Sequence, residues 1–417
     1  MVMKKFLLIV IGLLLIFIIA ALSVFTYQFH TYAPVAEDIV IDDSALAYYI
    51  DSYEEARAAF LEESVPLLEQ YPGSESYTIA VPGQVDPDLS LDILYIPAQQ
   101  EKKRLLILSA GVHGVEGFTG SAVARMFVQE LISPAALNDM GVLILHAVNP
   151  YGFKYVRRVS ENNVDLNRNA AFGDELYQTV NTGYHGVYSL VNPAGPADVS
   201  SLGNRFFHLK AVVAIVRESM QSLRQAILQG QYEFEEGVFF GGFRLEPQYA
   251  ELVPLISTLI NDYPATLMID LHTGYGERST LHLLTMPQEN PQVRGMLEEV
   301  FSGYTVDWGD AEDFYTVTGD FTSFVGAMKD EGLYLPMAFE YGTMDSQTMI
   351  GSIKSLHTTL LENQGFIHGY ASTEDEQIIK AAFLEMYYPS DPQWRVKVIN
   401  DSREVLATAL NNFRNLP

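Results

Sequence analysis

Four short clusters in this 417-residue chain carry side chains of the kinds that do chemistry. The first is Ser109-Ala-Gly-Val-His113-Gly-Val-Glu116-Gly117. His113 and Glu116 are three apart on a glycine-rich turn, so both heads can converge on one ion. Glycines at 111, 114 and 117 let the backbone turn sharply and approach a ligand closely. The second is Asp270-Leu271-His272-Thr273-Gly274, at the end of an apolar run. His113, Glu116 and His272 together form a His₂Glu set with a fourth position left for water, the composition of a catalytic zinc site. Asp270 lies two residues before His272 and on a strand would face the same side, where it can orient the imidazole from behind. The chain has no cysteine and only nine histidines, so any metal must be held by His, Asp or Glu.

The third cluster runs from Asn149-Pro150-Tyr151-Gly152 through Arg157-Arg158 to Asn163-Val164-Asp165-Leu166-Asn167-Arg168-Asn169. It gathers three arginines in a chain with few basic residues. Guanidinium forks match carboxylates bidentately, and an arginine beside a metal can stabilise an oxyanion. The fourth is Phe339-Glu340-Tyr341-Gly342-Thr343. A glutamate ending an apolar strand is desolvated, which suits a general base. Each cluster also admits a structural reading: a strand-end cap, a surface arginine paired with acids, a turn carboxylate. His146 and His282 read as structural. His185, within the loop-rich stretch 169–204, and His208, just after it, could line a cleft, and Asp313–Asp320, with Phe314 and Tyr315, could form a pocket wall or simply pack.

These clusters need elements that hold them. Arg104–Ser109 and Val142–Val148 are nearly continuous apolar runs, the pattern of strands covered on both faces. Tyr77–Val81, Leu91–Ile96, Thr266–Leu271 and Tyr334–Glu340 are further strand candidates. Helical spacing covers Asp43–Gln70, Thr119–Leu131, Phe207–Leu228, Glu251–Leu259, Glu374–Met386 and Asp391–Asn412. Alternating strands and helices predict an α/β fold, a single domain with a central mixed, mostly parallel sheet flanked by helices. The chemical clusters then fall at the carboxyl ends of strands, where open α/β sheets build their sites. The stretch 169–204 is long and irregular, and such stretches are often functional.

The N-terminus is different. Lys4 and Lys5 precede an apolar or small-residue run, Phe6–Phe25, long enough at about 1.5 Å per residue to cross a bilayer core of about 30 Å. Residues 1–34 are expected to be a membrane anchor or signal segment, and 35–417 the catalytic domain. The lysines should stay cytoplasmic, which places the domain outside the inner membrane as a single-pass or, after cleavage, secreted protein. Without that segment 52 acidic and 23 basic side chains remain, a net −29. So acidic a domain does not suit nucleic acid, which needs a basic surface.

The four motifs, in this order, resemble the zinc carboxypeptidase family (M14) and the succinylglutamate desuccinylase/aspartoacylase group. They look closest to a bacterial branch, DUF2817. The similarity covers most of 45–415, including the closing Tyr387-Tyr388-Pro389-Ser390-Asp391-Pro392-Gln393-Trp394. It implies a zinc-carboxypeptidase-like fold, one Zn²⁺ held by His113, Glu116 and His272, and Glu340 as the catalytic glutamate. It implies Asn167 and Arg168 as the pair gripping a substrate carboxylate, and Arg158 as the oxyanion-stabilising arginine with Arg157 as the fallback. The substrate would be a peptide or small amide with a free carboxylate, either a C-terminal peptide bond or an N-acyl amino acid. A non-catalytic, membrane-tethered binding module is the reading from another class. The family's tyrosine that folds over the substrate has no clear counterpart; Tyr341 and Tyr275 are candidates by proximity.

Overall fold

The computed structural model describes residues 2–35, 38–309 and 316–416. Eight strands form one sheet: β1 Glu75–Ala80, β2 Ser90–Ile96, β3 Arg104–Ala110, β4 Met140–His146, β5 Ala265–Thr273, β6 Leu281–Thr285, β7 Val306–Trp308 and β8 Leu333–Tyr341. Their order across the sheet is β1-β2-β4-β3-β5-β8-β6-β7. The four central strands β4, β3, β5 and β8 run parallel, and antiparallel pairings occur toward both edges. This is the single α/β domain with a mixed, mostly parallel sheet that the alternation of elements predicts.

The longer helices are α1 Val2–Thr31, α2 Tyr53–Gln70, α3 Gly117–Met126, α4 Thr182–Val191, α5 Phe207–Glu218, α6 Met220–Leu228, α7 Pro247–Asn261, α8 Pro291–Val300, α9 Met349–His368, α10 Thr373–Tyr387 and α11 Pro392–Asn415. The near-continuous apolarity of the central strands has the expected cause. In β3, Leu106 and Leu108 point into a core shared with α2, α3, α8 and α11. Their neighbours Leu105 and Ile107 point to the other face, against α7 and the short helix Phe321–Gly326. A third apolar cluster lies off the sheet, where α4, α5, α6 and α9 meet the C-terminal turns of α1.

Local chemistry explains where the expected helices differ. The run Asp43–Gln70 is not one helix but a short turn, Asp43–Leu46, followed by α2. Ser52 accepts a hydrogen bond from Glu55 N and starts α2 afresh, with Glu55 at the third helical position. Phe207–Leu228 is likewise split. Ser219 takes φ +73° and its hydroxyl caps α6 by accepting from Ser222 N. The loop-rich stretch 169–204 contains α4, begun by Asn181 accepting from Tyr184 N. β6, β7, α8 and α9 were not anticipated.

Helix α1 is long and apolar enough to cross a membrane, by length and composition. Residues 3–24 are exposed apart from Gly12, and Phe29 is buried against the domain.

Candidate metal centre

Strand register brings the clusters together. In the parallel β3–β5 pair Ser109 lies opposite Asp270, and in β5–β8 His272 lies opposite Glu340. All of these positions are at the carboxyl ends of central strands. His113 and Glu116 sit on the turn that leaves β3 and enters α3.

That turn is clamped by the third cluster. Gly114 N donates to the Arg158 carbonyl at 3.0 Å and Val115 N to the Arg157 carbonyl at 2.8 Å. Asn149 Oδ1 accepts from Gly152 N and Asn149 Nδ2 donates to the Arg158 carbonyl. A Cβ on Gly114 would lie 2.2 Å from the Gly152 backbone. Gly114 therefore allows two turns to touch, rather than the backbone to approach a ligand. Gly111 has φ +69°, so it does serve the sharp turn expected of it.

One nitrogen or oxygen from each of His113, Glu116 and His272 lies within 4.8 Å of the others, and all three residues are buried. His272 Nδ1 is 3.2 Å from His113 Nδ1 and 2.9 Å from Glu116 Oε2. His113 Nδ1 is 3.0 Å from Glu116 Oε1. Ligands about 2.0–2.2 Å from a tetrahedral zinc lie roughly 3.3 Å apart, so the spacing fits a three-residue zinc site. The far side of each imidazole faces a carboxylate: His272 Nε2 is 2.6 Å from Asp270 Oδ2, and His113 Nε2 is 3.2 Å from Asp165 Oδ1. Asp270 accepting from His272 Nε2–H turns the His272 Nδ1 lone pair toward Glu116 and His113, an arrangement that a cation would complete.

The electrostatics agree. Burial would lower the His272 pKa, yet Asp270 and Glu116 on either side raise it well above the usual imidazole range. Burial would raise the Glu116 carboxyl, but His113 and His272 hold it well below the usual carboxylate range. The pocket thus draws positive charge, as a proton or a metal. Ser109 Oγ donates to Asp270 Oδ1 at 2.5 Å and fixes that carboxylate.

Arg158 lies beside the donors. Its Nε donates to Asp165 Oδ2 at 3.0 Å and its Nη1 to Glu116 Oε1 at 3.4 Å, while Nη2 is 2.6 Å from His113 Nε2. Burial opposes its charge, but Asp165 and Glu116 keep it firmly protonated. Glu340 is half-buried, and its Oε2 atom is shut off from solvent with no hydrogen-bond partner among the described residues. Burial pushes its carboxyl up, with Glu116 adding to the rise against the pull of His272. His113, Arg158, Asn167, Arg168, His272 and Glu340 all line one cavity of about 210 Å³.

The other sequence candidates are placed as follows. Asn167 Oδ1 accepts from Phe321 N. Arg168 gives three N–H groups to the carbonyls of Leu228 and Asn167, and one N–H on each terminal nitrogen remains. Arg157 is not brought into this group. It pairs with buried Glu362 at 2.9 Å and stacks on Phe366, 3.5 Å from the ring centroid. Tyr275 lines the cavity, whereas Tyr341 is buried with its hydroxyl on Ser402. His146 stacks on Phe60, and His282 lies 2.9 Å from Asp307, in keeping with structural roles. His185 pairs with Glu233, and His208 packs on α1. Of the stretch Asp313–Asp320, Asp313, Phe314 and Tyr315 lie outside the described residues, while Val317 and Asp320 line the cavity.

Two residues were missed as contributors. Asp165 joins His113 to Arg158; it stood in the quoted Asp-Leu-Asn-Arg motif, and its acid among arginines was the available signal. Tyr387, from the end of α10, also lines the cavity; it opens the closing segment 387–394, which carried the resemblance but no role.

Residues 49–401 match the family described as "Protein of unknown function (DUF2817)". No curated protein matches the chain. Among solved structures the chain is similar to carboxypeptidase A from Helicoverpa armigera, at 15% identity and TM-score 0.39, covering 76% of this chain and 73% of that one. It is similar to bovine thrombin-activatable fibrinolysis inhibitor, at 14% identity and TM-score 0.41, covering 76% and 98%. It is also similar to a succinylglutamate desuccinylase/aspartoacylase from Rhodobacter sphaeroides, at 15% identity and TM-score 0.36, covering 71% and 66%. The family match takes in the His113–Glu116 turn, the arginine cluster and both strand-end motifs, and on that match this chain belongs to the DUF2817 family.

Proposed function

We propose that this protein is a zinc-dependent hydrolase of amide bonds, acting on a C-terminal peptide bond or a similar amide beside a free carboxylate. The observation that carries the proposal is the convergence of His113, Glu116 and His272 donors beside Glu340, a half-buried carboxylate whose buried Oε2 has no partner among the described residues. Zinc held by those three residues supplies a Lewis acid that activates water near neutral pH. Glu340 takes the proton from the attacking water and returns it to the leaving amine; its burial-raised pKa suits both halves of that task. Arg158, held by Asp165, offers its guanidinium to the oxyanion that develops on the carbonyl. Asn167 and Arg168 bind the substrate carboxylate, Arg168 through the N–H groups its backbone contacts leave over. Arg157 has no part in this scheme, because its charge is committed to Glu362.

A second reading keeps the residues and changes the substrate: a deacylase of N-acyl amino acids. The apolar lining of the cavity favours it. In either case residues 1–34 serve as membrane anchor or signal, with Lys4 and Lys5 on the cytoplasmic side and the domain outside the inner membrane.

Metal analysis of the purified chain, followed by assays on blocked peptides and N-acyl amino acids with and without chelator, tests the proposal. Bound zinc and chelator-sensitive release of a free amine are expected. A protein that holds no zinc and stays inert after zinc loading would be a binding module instead.

A further inference from the structure

Away from the metal donors the larger part of the cavity wall is aliphatic, with the hydroxyls of Ser352, Ser355 and Thr359 set into it from α9. Ala211 and Ile215 come from α5, Leu223 and Ile227 from α6, Ile353 and Leu356 from α9. The other charged side chains in the lining are largely committed to the protein's own backbone, Arg168 keeping one N–H on each terminal nitrogen. Arg168 holds the Leu228 carbonyl, Arg224 the Ser346 carbonyl, and Asp320 accepts from Ser323 N. All six aliphatic residues belong to, or pack against, one apolar cluster.

The membrane-length helix joins that same cluster. Phe29 is buried in it and Phe25 packs on it. Phe29 stacks on His208 of α5 with ring centroids 4.6 Å apart, and Thr26 Oγ1 lies 2.9 Å from His208 Nε2. Lys354 of α9 donates to the Tyr32 carbonyl at 2.8 Å. The helices that wall the cavity therefore hold the end of α1. Its free part, residues 3–24, spans roughly 33 Å at about 1.5 Å per residue, one bilayer core. This brings a bilayer to within about a turn of α5. On α5 itself Val213 and Val216 are 59% and 81% exposed. With half-exposed Leu209 they are spaced four and three apart, which places them on one helical stripe. An apolar stripe facing outward on the helix that grips a membrane span is the pattern of a surface lying in the bilayer interface.

We infer that the cavity receives a long aliphatic chain and that the substrate is a membrane-resident N-acyl amide. Its acyl tail lies among α5, α6 and α9, and its carbonyl is presented to His113, Glu116 and His272. Water adds its oxygen to the acyl carbon, the C–N bond breaks, and the proton passes through Glu340 to the leaving amine. The products are a fatty carboxylate and a free amine. This deepens the hydrolase reading and rests on it.

The test uses the zinc-loaded full chain in lipid nanodiscs, with one amino acid acylated from acetyl through octanoyl and dodecanoyl to hexadecanoyl, beside peptides ending in the same amino acid. kcat/KM is expected to rise by about fourfold per buried methylene until the cavity is full. Ala211→Phe, which fills the wall, and Leu223→Trp should each cut the dodecanoyl-to-acetyl ratio of kcat/KM by about fifteenfold, the worth of two methylenes. A ratio unchanged in both variants overturns the inference, because partition into the nanodisc alone would then explain the rise. A peptide with an apolar last residue that outperforms every acyl length also overturns it, and the wall is then a side-chain pocket.

A second readout does not depend on turnover. An acyl amide with a diazirine at the tail end should cross-link to residues 211–227 or 353–356, in competition with excess unlabelled compound, with or without zinc. Cross-links confined to α1 and uncompeted overturn the acyl site. Competed cross-links in the wall with no turnover of any amide remove the hydrolase reading and leave the acyl-chain site standing.

Discussion

Asp270 Oδ2 lies 2.6 Å from His272 Nε2, and the same carboxylate is held on its other oxygen by Ser109 Oγ. The pair puts the imidazole's proton on one side and its Nδ1 lone pair on the other, toward Glu116 and His113. Carboxylates behind a ligating imidazole typically contribute about 10–100-fold in metal affinity. Asp270→Asn should therefore weaken zinc binding by about that factor, read by competition with a chromophoric chelator. Unchanged affinity would show that His272 needs no such orientation, and would count against it as a ligand.

Glu340→Gln keeps the shape of the side chain and removes its basicity. Turnover should fall by about 10²–10⁴-fold, the usual contribution of a general base, while zinc content stays at the unsubstituted level. Retained activity would remove Glu340 from its role. Loss of zinc along with activity would make it part of the metal site instead.

The two adjacent arginines should separate. Arg157 is fully buried against Glu362, with Lys380 on the same carboxylate at 2.7 Å. Removing one partner of a buried pair costs about 3–5 kcal/mol, and Lys380 remains to cover part of that here. Arg157→Met should lower the unfolding midpoint by several degrees without changing zinc affinity. Arg158→Met, which strips a partner from buried Asp165, should also lower the midpoint but, unlike Arg157→Met, reduce kcat. Thermal melts beside steady-state kinetics on both variants decide it; a reversed pattern would exchange the two assignments.

His146 predicts an acid-side loss of stability. Burial lowers its pKa from 6.5 to about 4, so the folded protein keeps it neutral. Between those values the unfolded chain takes up a proton that the folded one does not. Stability contributed by this site is thus complete above pH 6.5, declines as pH falls toward 4, and levels off below; the loss is on the order of 3 kcal/mol. Urea unfolding at pH 7.5 and pH 5 measures it, and His146→Phe should flatten the difference. An equal pH dependence in that variant would assign the effect to other groups.

The sequence by itself determined the sheet core and the chemical inventory. Leu105–Leu108 and Val142–Leu145 are apolar at every position, and only a strand buried on both faces tolerates that. The candidate metal-donor set needed no more than His113 and Glu116 on one strand-end turn and His272 on another. Split helices were legible only in part, since the caps at Ser52 and Ser219 are single side chains that periodicity overrides. Tertiary structure decided the rest. Arg157 and Arg158 are neighbours in sequence, but a turn sends one into a buried pair with Glu362 and the other to the metal donors. Arg168 reads as a free guanidinium until its hydrogen bonds to Leu228 and Asn167 are seen. Asp165 and Tyr387 become site residues only because distant segments fold against β3 and β5. The aliphatic wall draws on α5, α6 and α9, helices that meet through contacts spanning most of the chain. Local pattern reports which face of an element is buried; what it is buried against is a property of the whole fold.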